Sequence, residues 1–357
     1  MTRRRAGSAT AAWAKALKST VRAITRATKK VAPVAPRAKS PKAKAAPKKR
    51  AVPTAQTGLG DWLPGFSMGT TGARRYWLFR PNGVKAGERL PLLVMLHGCT
   101  QDAKAFAAST RMNALARRER FMVLYPEQSR LDNPQRCWNW YDTRGAGAQR
   151  ESDRIMAAID QVQSRQAIDV ARTAVLGLSA GASMAALLAT RFPTRFQAVV
   201  MHSGIGPGMA DSTATALAAM RGQRQAKTHQ PGQAPELWPP LMVVQGESDH
   251  IVSPRNGLAA AQSWADSVGA GSGVQRTVQR GQRYPMNVTD FKQRGRTLVT
   301  LIAVSRLGHA WSGGAANQAF SDPKGPDATG MAWTFISRQF RQLPPADTRT
   351  RRAAPRP

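Results

Sequence analysis

From about residue 70 onward, short apolar runs alternate with stretches whose apolar residues recur every three or four positions. R-Y-W-L-F-R at 75–80 reads as an early strand. L-L-V-M-L at 92–96 is apolar without interruption, as expected of a central strand buried on both faces. The spacing predicts a helix over 103–118, a strand over 121–125 and a helix over 153–167. T-A-V-L at 173–176 is a second apolar run, and it leads through G-L-S-A-G into an Ala-, Leu- and Met-rich helix. Strands are expected at 198–201 and 241–244, a helix at 254–268, strands at 274–279 and 297–304, and a closing helix at 331–340. Such alternation implies a mostly parallel, doubly wound α/β sheet. Residues 204–240 have weak periodicity and many Gly, Pro and Gln, and are expected to run as an excursion over the sheet.

The first 56 residues read differently. Trp13, Leu17, Val21, Ile24 and Val31 recur at helical spacing over 8–31, interleaved with Lys15, Lys18, Arg22, Arg26, Lys29 and Lys30. This is the pattern of a basic amphipathic helix able to lie on a surface or against a partner, or of a transient helix in a disordered tail. Residues 32–53 are an Ala, Lys and Pro linker that cannot build a core. The chain thus divides into a basic extension over 1–56, an α/β catalytic domain over 57–343 and a basic, proline-rich, disordered tail over 344–357. Charge follows the same division. Of 53 Lys and Arg against 20 Asp and Glu, 16 basic residues and no acidic one lie within 1–50. A block of that sign suits a polyanion such as nucleic acid, and equally a solvated tail. No apolar run approaches the roughly 20 residues of a membrane span. No uninterrupted apolar segment follows Arg3-Arg4-Arg5, so no signal peptide is recognised. The two cysteines, Cys99 and Cys137, read as two buried thiols or one bridge.

Candidate chemistry starts at Ser179, at the apex of a strand–turn–helix in which Gly177 and Gly181 keep the neighbouring backbone from clashing. A serine nucleophile needs a base and a group that orients the base. Asp249 follows the 241–244 strand, and His309 follows the 297–304 strand in L-G-H-A-W. The order serine, acid, histidine is that of an α/β-hydrolase fold, and every member sits after a predicted strand, at one edge of the sheet. Of the alternatives, Glu247 is the fallback acid and Asp266 lies on a predicted helix. His250 is too close in sequence to Asp249 to be its partner, His202 suits backbone satisfaction at a strand end, and His229 lies in a polar loop. An oxyanion needs two N–H donors. Ala180, next to the nucleophile, supplies one. Cys99, in the H-G-C loop after the 92–96 strand, is expected to supply the other, with His97 bracing that loop. No metal or organic cofactor is called for.

The segments H-G-C-T-Q-D (97–102), Y-P-E-Q (125–128), C-W-N-W (137–140), G-L-S-A-G-A-S-M (177–184) and L-G-H-A-W-S-G-G (307–314) together resemble the polyhydroxybutyrate (PHB) depolymerase family of esterases, α/β-hydrolases related to feruloyl and acetylxylan esterases. The likeness extends over about residues 70–340. It implies a serine esterase acting on poly- or oligo-(3-hydroxyalkanoates), with Ser179, Asp249 and His309 as the triad and the Cys99 amide in the oxyanion hole. It further implies a Cys99–Cys137 disulfide and Trp138, Trp140 and Trp311 as substrate-facing aromatics. A feruloyl- or acetylxylan-type activity is the alternative. So is a second role of residues 1–56 in binding nucleic acid or a polyhydroxyalkanoate granule. Secreted relatives carry a leader. The basic start here instead points to a cytoplasmic or granule-associated location, with an extracellular one as the alternative.

Overall fold

The computed structural model describes residues 58–225 and 237–343. The helix expected over 8–31, the linker over 32–53, His229 and the tail over 344–357 lie outside them.

The elements follow in chain order as β1 (Gly60–Gly69), β2 (Gly72–Pro81), β3 (Leu90–Leu96), α1 (Ala103–Thr110), α2 (Met112–Glu119), β4 (Met122–Pro126), α3 (Gly147–Arg165), β5 (Ile168–Leu178), α4 (Ala180–Arg191) and β6 (Ala198–His202). Then come α5 (Thr213–Met220), β7 (Leu241–Gly246), α6 (Arg255–Ser267), β8 (Gly271–Ser272), β9 (Arg276–Val278), β10 (Met286–Gln293), β11 (Arg296–Val304), β12 (Trp311–Ser312), β13 (Ser321–Asp322) and α7 (Ala328–Arg341). The main sheet runs β1-β2-β4-β3-β5-β6-β7-β11-β10-β8, with β9 also on β10. Pairing from β4 through β3, β5, β6 and β7 to β11 is parallel, whereas β2 and β10 pair antiparallel to β4 and β11. The sheet is therefore mostly parallel and doubly wound, as the alternation predicts. Every residue of β3, β4, β6 and β7 is buried, which is why those strands read as unbroken apolar runs.

Three expectations need correction. The helix predicted over 103–118 is two helices, because Arg111 adopts a left-handed conformation (φ 57°) between them. The Thr110 hydroxyl turns back to the Phe106 carbonyl (2.9 Å), and Arg111 Nη2 reaches the Gly313 carbonyl (2.6 Å), so the break is tied to distant loop structure. The excursion over 204–240 contains α5, opened by Ser212 as its N-cap with Thr215 closing a capping box. The strand predicted over 274–279 shortens to β9, and its neighbour β10 is the longer strand. Arg294 and Gly295 join β10 to β11 in a two-residue turn with φ positive at both (48° and 77°), the turn that matches hairpin twist.

Because the six parallel strands share one direction, their C-terminal ends open on one edge. The loops after β3, β5, β7 and β11 carry His97 to Cys99, Ser179, Asp249 and His309.

Candidate active site

Ser179 lies between β5 and α4 with φ 58° and ψ −122°, a conformation that L residues rarely adopt. Its amide donates to the His202 carbonyl at the end of β6 (2.8 Å). The bracketing glycines are required by close approach. A Cβ on Gly177 would lie 2.4 Å from the backbone of Gly181, and one on Gly181 would lie 2.1 Å from the Leu96 carbonyl oxygen. The turn is thus wedged between its own helix and the end of β3. The strain is held in place by packing, and it puts the Ser179 hydroxyl at the N-terminus of α4.

Asp249 and His309 meet directly. His309 Nδ1 donates to Asp249 Oδ2 at 2.8 Å, across 60 residues of sequence. The other carboxylate oxygen accepts the amides of Ile251 and Val252, both at 2.9 Å, and Gln245 Nε2 reaches Oδ2 at 3.3 Å. Burial alone would push the Asp249 carboxyl up. The His309 charge and hydrogen bond and the two amides outweigh it, holding the group below its ordinary range and ionised. An ionised Asp249 fixes the proton of His309 on Nδ1, which leaves Nε2 free to accept one. The fallback acids stand elsewhere. Glu247 takes hydrogen bonds from Ser305 (2.9 Å) and Asn287 (3.4 Å), and Asp266 takes one from Gln262 on α6 (2.7 Å). His250 is exposed.

The loop after β3 is stapled on several sides. His97 Nδ1 donates to the Gly98 carbonyl (2.8 Å), and its Nε2 accepts the Gln128 amide (3.1 Å). Burial lowers this imidazole to about 4, so it braces the loop as a neutral ring. The Gly98 amide donates to Gln101 Oε1 (2.9 Å) and the Thr100 amide to the Gln135 carbonyl (2.7 Å). A disulfide joins Cys99 to Cys137. Beneath it lies a buried polar network. Arg74 Nη1 donates to Gln128 Oε1 (2.6 Å), Gln128 Nε2 donates to the Cys137 carbonyl (3.1 Å) and to Glu151, and Glu151 accepts the Asn139 amide (2.8 Å). Among the described residues, the amides of Cys99 and Ala180 bond to no protein acceptor. Both candidate oxyanion donors are therefore unspent.

Two outcomes differ from the sequence reading. Trp138 and Trp311 are fully buried, and Trp140 is 9% exposed. Trp138 Nε1 donates to the His97 carbonyl (2.9 Å) and Trp311 Nε1 to the Thr329 hydroxyl (2.9 Å), while Trp140 packs edge-on against Tyr141. The Trp138 and Trp311 rings are thus core side chains, since indoles with an internal acceptor gain most from full burial, and of the three only Trp140 keeps an edge at the surface. His202, read only as a strand-end histidine, is central to the geometry. It is wholly buried and stacks on Trp311 (centroids 5.0 Å apart), and its Nε2 accepts the Ser312 amide (3.0 Å). Nδ1 then carries the proton toward Ser203 Oγ (3.1 Å). One residue thereby ties the amide of Ser179 to the loop that carries His309. Burial, reinforced by the charge of His309, takes its imidazole to about 3, so it stays neutral beside that partner. The link to Ser312 spans 110 residues. Only the presence of a histidine at a strand end signals it in sequence.

The family model described as "Esterase PHB depolymerase" matches residues 74–267, more than half of the chain. Poly(3-hydroxyalkanoate) depolymerase C of Paucimonas lemoignei is 32% identical over 195 residues, 49% of this chain and 44% of that protein. Feruloyl esterase B of Neurospora crassa is 26% identical over 204 residues, 52% of this chain and 68% of that protein. The chain thus spans less than half the length of the depolymerase it matches. Among solved structures, an acetyl xylan esterase from Aspergillus awamori aligns with a TM-score of 0.56 at 16% identity, over 78% of this chain and 100% of that one. A ferulic acid esterase aligns with a TM-score of 0.51 at 16% identity, over 78% and 98%. These likenesses establish the α/β-hydrolase fold.

Proposed function

This chain belongs to the PHB depolymerase family of esterases, and on that premise we propose that it hydrolyses carboxylic esters through an acyl-enzyme on Ser179. The observation that carries the proposal is the 2.8 Å contact of His309 Nδ1 with Asp249, at the sheet edge where the strained turn presents Ser179. His309 Nε2 takes the hydroxyl proton as Ser179 Oγ bonds to the ester carbonyl carbon. Asp249, already ionised, stabilises the imidazolium that results. The carbonyl oxygen becomes an oxyanion held by the Ala180 and Cys99 amides, and each such donor contributes about 3 kcal/mol to the transition state. Collapse expels the alcohol, which takes the proton from His309. Water, activated by the same imidazole, then releases the acid and restores Ser179.

The substrate we propose is a poly- or oligo-(3-hydroxyalkanoate), the class in the name of the P. lemoignei relative, which is more alike in sequence than the feruloyl esterase. A second reading, hydrolysis of feruloyl or acetyl esters, is favoured by the larger share of the N. crassa protein that aligns. Purified protein offered 3-hydroxybutyrate oligomers and methyl ferulate side by side separates the two. Faster turnover of the oligomers supports the first reading and faster turnover of the ferulate the second. Ser179→Ala should abolish hydrolysis of a short p-nitrophenyl ester while leaving the fold intact. Undiminished activity in that variant overturns the mechanism. Contact of residues 1–56 with a polyanion or a granule concerns residues outside those described. Among the described residues no helix is long and apolar enough to cross a membrane.

A further inference from the structure

The far end of the sheet is covered unevenly. The register pairs Val288 of β10 with Ile302 of β11, so both point to one face, as does Met286 two residues along β10. With Met242 of β7 they floor a cavity of about 820 Å³, bounded on one side by Met331 and Phe335 of α7. None of Ser179, Asp249 and His309 lines it. Its volume is that of a small-molecule site. Its three methionines, Met242 and Met286 in the floor and Met331 in the wall, make a lining that adapts to a flexible chain.

The cations that line it are all arginines, Arg118, Arg276, Arg280, Arg338 and Arg341. The three carboxylates around it are already engaged. Glu119 pairs with Arg118 (2.8 Å) and accepts Trp333 Nε1 (3.0 Å). Asp290 pairs with Arg276 (2.7 Å) and accepts the Thr300 hydroxyl (2.7 Å), and Asp327 caps α7 through the Gly330 amide (3.1 Å). Among the described residues, Arg341 reaches the Ser337 hydroxyl (3.4 Å) and no carboxylate. Among the described residues, Arg280 and Arg338 are in no ion pair. An apolar floor beneath unpaired guanidinium groups matches a molecule with an alkyl chain and an anionic head. Guanidinium suits a carboxylate in particular, because its planar fork matches both oxygens.

We propose that this groove binds a medium-chain carboxylate, its chain on the methionine-lined floor and its head group against Arg280 and Arg338. A concave groove admits one chain but not the plane of a bilayer. The inference does not depend on Ser179 being a nucleophile, and it is tested by binding, not turnover.

The test uses the full chain with 13C-methyl methionine, titrated with decanoate below its micellar concentration and followed by NMR. The methyl resonances of Met242, Met286 and Met331 should shift ahead of the other methionines. Octanoate should bind roughly tenfold more weakly for its two missing methylenes. Decan-1-ol, which lacks the charge, should also bind more weakly than decanoate. The exposed double substitution Arg280→Ala and Arg338→Ala should weaken decanoate at least tenfold. The proposal is overturned if the three resonances stay still or if shifts centre on other methionines. It is equally overturned if decan-1-ol matches decanoate, or if the double variant binds as the parent does. Retention on phosphatidylglycerol vesicles through the same two arginines, with no decanoate binding, would assign the rim to a membrane surface and overturn it too.

Discussion

Lowering the pH from about 6.5 to about 4.5 protonates two histidines in the unfolded chain that the folded chain keeps neutral. Burial moves His97 from 6.5 to about 4 and His202 from 6.5 to about 3. The sign follows from linkage. Both folded pKa values lie below the unfolded one, so the unfolded state binds more protons throughout this window. Stability is whole above about 6.5 and is lost as the pH falls toward the folded values. Each site costs about 1.4 kcal/mol per pH unit, so the pair costs about 5 kcal/mol over two units. That is on the scale of the whole stability of a domain, about 5–15 kcal/mol. Two carboxyls adjust the total. Asp249, held below the ordinary carboxylate range, acts in the same direction only at still lower pH. Glu151 is pushed above 4.5, chiefly by burial, so it takes up a proton first in the folded state and offsets part of the loss. The assay is equilibrium urea unfolding followed by tryptophan fluorescence at half-unit pH steps. Parent protein should lose stability with a slope approaching two protons. His202→Gln, which keeps an acceptor for the Ser312 amide, should lose about half of that slope. A flat profile between pH 6.5 and 4.5, or an unchanged slope in the glutamine variant, would refute the buried, neutral assignment of these rings.

Other consequences are as direct. Asp249→Asn should leave the fold intact and lower kcat roughly 10³- to 10⁴-fold, because the amide no longer stabilises the imidazolium; activity within tenfold of parent would count against the role given to Asp249. Gly181→Ala places a Cβ 2.1 Å from the Leu96 carbonyl, so it should cost at least about 2 kcal/mol in urea unfolding and most of the activity; an unchanged midpoint would show that the turn can relax. Reducing the Cys99–Cys137 disulfide opens a loop of 38 residues and should cost about 3–4 kcal/mol. It should also lower kcat more than it raises KM, since the loop carrying the Cys99 amide is what loosens. Titration with dithiothreitol, with activity and melting read in parallel, checks both.

Legibility in the sequence tracked the locality of the signal. Strands β3 and β7, buried on both faces, are plain as apolar runs, and the G-L-S-A-G turn is plain because steric need fixes its glycines. The order of Ser179, Asp249 and His309 could be read because parallel strands carry successive loops to one edge. The hairpin strand β10 was missed because Asp290 interrupts its alternation, and Asp290 is tolerated there through Arg276 and Thr300. The break at Arg111 depends on Gly313, 202 residues away. Trp138 and Trp311 were misplaced for a related reason, since the acceptors that draw them inward, His97 and Thr329, belong to other elements. The role of His202 was invisible because its partner amide, Ser312, follows β11.

The central claim is that ester hydrolysis passes through a covalent acyl group on Ser179. Rapid mixing of the full chain with excess p-nitrophenyl acetate, acid quenching and peptide mass spectrometry tests it most directly. A burst of p-nitrophenol is expected, with one acetyl group per chain carried on the peptide containing Ser179. Both burst and adduct should be absent in Ser179→Ala. Steady hydrolysis by Ser179→Ala at the parent rate, or an acetyl group found only on another residue, would contradict it.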